Sequence, residues 1–268
     1  MKTIGFVLAA IVAATPAVAQ EAGSKSITVA GSIGLVSDYR FRGVSQTNKE
    51  MAVQGGISAR HESGLYGGIW ASNLAGWGTF GGSNMELDLF AGYAMPVGNL
   101  TLDAGLTWYM YPGGASNTDF AEPYVKLSGT AGPVNLLAGI AYAPKQQALG
   151  NYSNTPRSFG QKQDNIYLWG DADAAIPGTL LKIKAHLGYS DGNPGLGPNG
   201  TSLAPTDKYL DWMLGADVAV GPLTLGLSYV DTDISRADAA YLQPNFSSTK
   251  NGSSIAGGTA LFSLSAAF

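Results

Sequence analysis

Beyond residue 25 the chain is written in alternation. Between Ser26 and Asp38, Ile27, Val29, Ile33 and Leu35 share one parity, with Thr28, Ser32 and Gly34 on the other. Met85, Leu87, Leu89, Ala91 and Tyr93 oppose Asn84, Glu86, Asp88 and Gly92. Leu181, Ile183, Ala185, Leu187 and Tyr189 oppose Lys182, Lys184, His186 and Ser190. A period of two held over about ten residues marks strands, and no later stretch sustains helical spacing. The pattern predicts about twelve strands, over 26–38, 50–60, 65–73, 83–95, 100–110, 119–128, 133–143, 164–176, 179–190, 207–220, 223–231 and 252–268. The run 65–73 is apolar on both faces, so alternation leaves its orientation open. The connections alternate too. Short turns fall at His61 to Gly64, Pro96 to Asn99, Gly129 to Gly132, Pro177-Gly178 and Gly221-Pro222. Between them lie longer segments rich in Gly, Asn, Ser and Pro.

An even number of antiparallel strands with alternating short and long connections predicts an all-β fold, a transmembrane up-and-down barrel of the bacterial outer membrane. Closure satisfies every backbone group in lipid without leaving an edge. The apolar faces then look at lipid, and the faces carrying Asp, Glu, Lys, Thr and Gly look into the lumen. This assigns Glu86, Asp88, Asp103, Glu122, Lys126, Asp171, Asp173, Lys182, Lys184, His186, Asp211 and Asp217 to the pore lining. Aromatic residues at strand ends are expected to form interfacial girdles. In "SDYRFRGVSQT", residues 37–47, the same parity sends Tyr39 and Phe41 to the lipid headgroups and Asp38, Arg40 and Arg42 to the extracellular mouth.

Composition narrows the reading further. Charged residues are only 13% of the 268, hydrophobic ones 45%, and glycine, at 37, is about twice the usual share. A net charge of −4 excludes a strongly basic nucleic-acid footprint. With no cysteine there is no disulfide framework and no thiolate metal site. Residues 1–19 read as a secretory signal: Lys2, an apolar run from Ile4 to Ala14, and Ala17-Val18-Ala19 before a cut near Gln20. Residues 20–25 become a short periplasmic tail, and 26–268 the barrel. The alternating segment 260–268 ending in Phe268 matches the signal by which barrel-assembly machinery takes up such strands.

Four stretches carry a family resemblance: "GLVSDYRFRGVSQT" at 34–47, "GLYGGIWASN" at 64–73, "MELDLFAGYAMPVGNLTLDAGLTWYMYPG" at 85–113, and "EPYVKLSG" followed by "GPVNLLAGIAYAP" within 122–144. The chain resembles the TorF family of proteobacterial porins, by motif in its first half and by pattern over 145–268. The resemblance implies an outer-membrane barrel with a porin role. It brings no catalytic residues.

Catalytic chemistry has little to stand on. His61 falls in a predicted periplasmic turn, and His186 points into the lumen beside Lys184, without the nucleophile a Ser-His-acid site needs. Asp171 and Asp173 share a face because lumen lining puts them there. Asp231-Thr232-Asp233 has calcium-like oxygens, but a solvated loop accounts for it. No enzyme activity, cofactor or metal is expected. The expected function is passage of small hydrophilic solutes or ions, with lipid as surroundings and no nucleic-acid partner. The alternative is a closed or plugged barrel serving surface interaction or structure, with an envelope hydrolase far behind. Eight lumen acids against three lysines predict weak cation preference. Around Pro177-Gly178, pairing Ile176 with Thr179 predicts Asp173 opposite Lys182, Asp171 opposite Lys184 and Trp169 opposite His186.

Overall fold

The computed structural model describes residues 26–150, 160–193 and 203–268. The expected signal and tail, 1–25, lie outside the described residues. Twelve strands close into one antiparallel barrel: β1 (Ile27–Val36), β2 (Ala52–His61), β3 (Leu65–Asn73), β4 (Met85–Val97), β5 (Leu100–Met110), β6 (Phe120–Ala131), β7 (Val134–Gln146), β8 (Gln163–Ala175), β9 (Leu181–Gly192), β10 (Lys208–Val220), β11 (Leu223–Thr232) and β12 (Thr259–Ala267). Each pairs with its neighbours in sequence, and β12 pairs with β1, Ser32 opposite Ala267 through Val36 opposite Ser263. Backbone bonds in both directions between Gly31 and Phe268 extend that seam by one step. The Phe268 ring lies where a Cβ on Gly31 would point, so glycine is what lets the ring cover the seam.

The barrel is inside out by the standards of a soluble protein. Val29, Leu187, Leu214, Leu227 and Phe262 project from its outer wall, Leu214 with 67% of its surface exposed. In water such a band would be an aggregation surface; against hydrocarbon it is what a spanning strand requires. Trp108, Tyr142, Tyr189 and Tyr229 stand on the outer wall toward the long-loop end, and three of these phenols donate to carboxylates of the same rim, Asp164, Asp191 and Asp231, each at 2.9 Å. Alternation left β3 open; the structure turns Leu65 and Ile69 outward and buries Tyr66 and Trp70 inside.

The β8–β9 hairpin corrects the expected register. Asp173 faces Lys184, Asp171 faces His186 and Ala175 faces Lys182, so every partner sits two residues beyond its expected place. The cause is the turn. Ile176 carbonyl accepts from Thr179 N–H at 3.1 Å with Gly178 at φ 76°, as a type II turn needs, and Ile176 N–H donates to Leu181 carbonyl at 2.8 Å. Thr179 Oγ1 donates to Ile176 carbonyl and accepts from Leu181 N–H. The loop therefore spans 177–180 and is not centred on Pro177-Gly178. An even shift preserves parity, so Asp171, Asp173, Lys182 and Lys184 still face inward.

Several strand ends also differ from expectation; β6 and β7 run on to Ala131 and Gln146, not 128 and 143. The last strand begins at Thr259, not 252, because Ile255 and Ala256 are drawn into an apolar cluster with Val44, Tyr209, Leu242 and Phe246 at the long-loop end. β1 stops at Val36, not 38. Ser37 N–H donates to the Phe262 carbonyl and its Oγ accepts from Phe262 N–H, and the chain then leaves the wall.

Candidate functional site

Residues 37–51 turn into the lumen. Their core is a two-strand ribbon, Arg40–Phe41 against Val44–Ser45, whose tip is Arg42-Gly43. Both tip residues have positive φ, 48° and 78°, the condition for a primed hairpin turn. Glycine suits that backbone at 43, and a Cβ there would press on Thr232. At 42 an arginine occupies it. A non-glycine residue held in the left-handed region needs surroundings that over-determine it, and Arg42 has them. Its Nη2 bonds both oxygens of Glu122 at 2.6 and 2.7 Å, and its Nη1 donates to Asn165 Oδ1 at 2.8 Å. Its guanidinium lies 4.1 Å from the centre of the Tyr167 ring.

The base of the ribbon is stitched by its own polar residues. Arg40 Nε donates to Asp38 at 2.6 Å, while its Nη1 donates to the carbonyls of Gly43 and Ile255, each at 2.8 Å. Asp38 also accepts from Ser45 Oγ, and Thr47 Oγ1 accepts from Tyr39 N–H. Tyr39, expected at the lipid headgroups, is 3% exposed inside the barrel, edge-on to Trp70 and donating to Glu86 at 2.9 Å. Phe41, expected beside it, packs edge-on to Tyr109. Asp38, Arg40 and Arg42, expected at the extracellular mouth, are all buried. The strand parity is sound, but the segment does not continue the strand.

All twelve residues assigned to the pore lining lie on the inner parity of their strands. The structure joins most of them in pairs between neighbouring strands. Lys126 meets Asp103 at 3.0 Å, Lys184 meets Asp217 at 2.7 Å, and Lys182 reaches diagonally to Asp173 at 3.0 Å, which also accepts from Asn135. His186 lies 2.7 Å from Asp171 through Nδ1 and 2.9 Å from the Tyr167 hydroxyl through Nε2; Asp211 completes the group. Glu86 has the Tyr39 hydroxyl. Asp88, 1% exposed, meets no donor at either oxygen. His61 ends β2 and bonds Ser63 in the adjoining turn, far from this group in the fold. The solvated loop expected at Asp231-Thr232-Asp233 is the end of β11: Asp231 accepts from Thr232 N–H, Thr232 is buried, and Asp233 accepts from Leu210 N–H of β10.

Sequence reasoning placed Trp169 inward and missed the other interior aromatics. Tyr39, Tyr66, Trp70, Tyr109 and Tyr167 are all buried inside, and Trp169 stacks on Tyr167. Several lie flat over glycines of the next strand, Tyr167 over Gly188 and Trp169 over Gly139, where any larger residue would collide. Aromatics on the parity of lumen charges, facing glycines, were the available signal. Tyr39, Trp70, Tyr109, Tyr167 and Trp169 line a cavity of about 210 Å³, together with Arg40, Phe41 and Arg42 of the ribbon. Above it, at the long-loop end, Tyr109, Phe120, Ala148 and Leu149 form a packed layer with Phe41 and Phe80 against it.

A family model described as "Bacterial protein of unknown function (Gcw_chp)" matches residues 19–268. No curated protein matches the chain. Among solved structures, an outer membrane channel from Pseudomonas putida F1 is similar at 9% identity and a TM-score of 0.44, over 96% of this chain and 100% of that one. The outer membrane channel DcaP of Acinetobacter baumannii is similar at 11% and 0.43, over 90% and 97%. An anion-selective porin from Comamonas acidovorans is similar at 12% and 0.40, over 91% and 99%.

Proposed function

The chain belongs to the Gcw_chp family of bacterial proteins, and from that premise we propose that it is a narrow outer-membrane channel for small hydrophilic solutes or ions. The observation that carries this reading is the reversal of polarity across one wall. An unbroken apolar band faces out, while carboxylates, lysines and a histidine line a closed interior. A barrel that served only as a scaffold would have no use for a charged, cavity-bearing lumen. The ribbon at 37–51 would set the bore, and Arg42, Glu122 and Asp88 would lie along the path with the other inward residues. The motifs shared with TorF-type porins support the same role. Lipid surroundings, export after removal of 1–19, and delivery to the barrel-assembly machinery through the strand ending at Phe268 belong to this reading.

The packed layer at the long-loop end favours a second reading, a plugged barrel working at the cell surface. Refolded protein in planar bilayers separates the two. Discrete steps of small conductance in potassium chloride are expected. Insertion without any steps would overturn the channel reading in favour of the plugged barrel.

A further inference from the structure

Inside this lumen, two of the cations, Arg42 and Lys126, are housed by a carboxylate with an aromatic ring beside it. Arg42 sits on Glu122 with the ring of Tyr167 at 4.1 Å. Lys126 sits on Asp103 with the ring of Tyr124 at 4.5 Å. Asp88 has the same setting. Its direct partners on the two neighbouring strands are Trp70 and Tyr109, and Phe90 follows it on the same face. Here, among the described residues, no arginine, lysine or histidine comes within ion-pairing reach, and neither oxygen of Asp88 meets a donor. The indole N–H of Trp70 beside it has no acceptor among the described residues either. All four residues line the lumen cavity of about 210 Å³. A buried carboxylate without a partner is costly, and a donor cation from outside the chain would relieve it. A hard metal ion would demand several oxygen ligands, and among the described residues no group of three or more acids or histidines is placed to hold one. A protonated amine needs one carboxylate and ring faces, the two things this site offers. A hydroxyl on the same molecule would answer the indole N–H.

We propose that the lumen cavity binds a small protonated amine, held by Asp88 between Trp70 and Tyr109. The channel reading enters only as the amine's route to the cavity. The test is therefore equilibrium binding to detergent-solubilised barrel, with ethanolammonium chloride as probe and tryptophan fluorescence and calorimetry as readouts. Saturable binding is expected, at least tenfold weaker in Asp88→Asn and two- to fivefold weaker in Trp70→Phe, which keeps a ring and loses the N–H. Heat-modifiable migration of both variants verifies their fold. Absence of saturable binding, equal binding by Asp88→Asn, or equal competition from potassium would overturn the proposal. Binding without bilayer conductance would overturn the channel and leave the site standing; conductance without binding would do the reverse.

Discussion

Arg42 is the residue on which the interior turns. It holds an unfavourable backbone conformation and places its guanidinium across the lumen, where Glu122 accepts two hydrogen bonds and Asn165 one. Removing one partner of a buried pair leaves the other charge stranded, at a cost of about 3–5 kcal/mol. Arg42→Ala is expected to release the ribbon from the far wall, raising channel conductance and exposing 37–51 to protease, with the barrel's sheet circular dichroism unchanged. Unaltered conductance and unaltered cleavage would mean that the contacts of Tyr39, Arg40 and Ser45 hold the ribbon without Arg42. Parity put the charges of this segment on one face and its rings on the other, which was legible from five residues. Its departure from the wall was not, because a period of two is the same for a strand that continues and a ribbon that folds inward. Only Gly43, following an arginine, hinted at a tight turn. Asp88 was legible as an inward acid, but its lack of a partner depends on which residues the neighbouring strands set beside it.

At the scale of elements, all twelve strands were readable, since each carries its own apolar face. What the sequence does not encode locally is register, which the turn sets. The β8–β9 hairpin is the example: Pro177-Gly178 marked the turn, yet Thr179 and Leu180 belong to it as well. The chain has no cysteine, so the register can be tested against a clean background. Directly opposed residues have Cα atoms about 4.5–5.5 Å apart, within disulfide range, while diagonal neighbours are about 7–8 Å apart. Asp173→Cys with Lys184→Cys should cross-link readily on mild oxidation, and Asp173→Cys with Lys182→Cys should not. The reverse result would restore the register centred on Pro177-Gly178. Lys182 still reaches Asp173 because its long side chain covers the diagonal.

Across the whole molecule, the interior remains net acidic after its pairs are formed. Asp38, Glu86, Asp88, Asp103, Glu122, Asp171, Asp173, Asp211 and Asp217 face Arg40, Arg42, Lys126, Lys182 and Lys184. Half of the excess lies at Glu86 and Asp88, which have no cationic partner among the described residues, and half at Asp171 and Asp211 around His186. The two arginines expected at the mouth are consumed inside by Asp38 and Glu122, so they offset little of it. In a potassium chloride gradient the reversal potential is expected to take the sign of cation preference, moving toward zero in the double variant Glu86→Gln, Asp88→Asn. A clear anion preference in the unaltered protein would contradict this charge assignment. The architecture was legible because membrane β-structure repeats one rule along the entire chain. The interior was less so, because a lumen is assembled from side chains that sequence keeps far apart.

The seam between β1 and β12 has a consequence for how the molecule comes into being. Residues 32–36 meet 263–267, so the contact that removes both edges is also among the longest in sequence, and such contacts form late and slowly. The same event locks the ribbon, since Arg40 and Ser45 both bond the carbonyl of Ile255 just ahead of β12. A chain halted before that strand would present β1 and β11 as two bare edges, each able to recruit another chain. Birth of this barrel is thus a single commitment made at its last strand, before which the polypeptide is a polymerisation hazard needing escort.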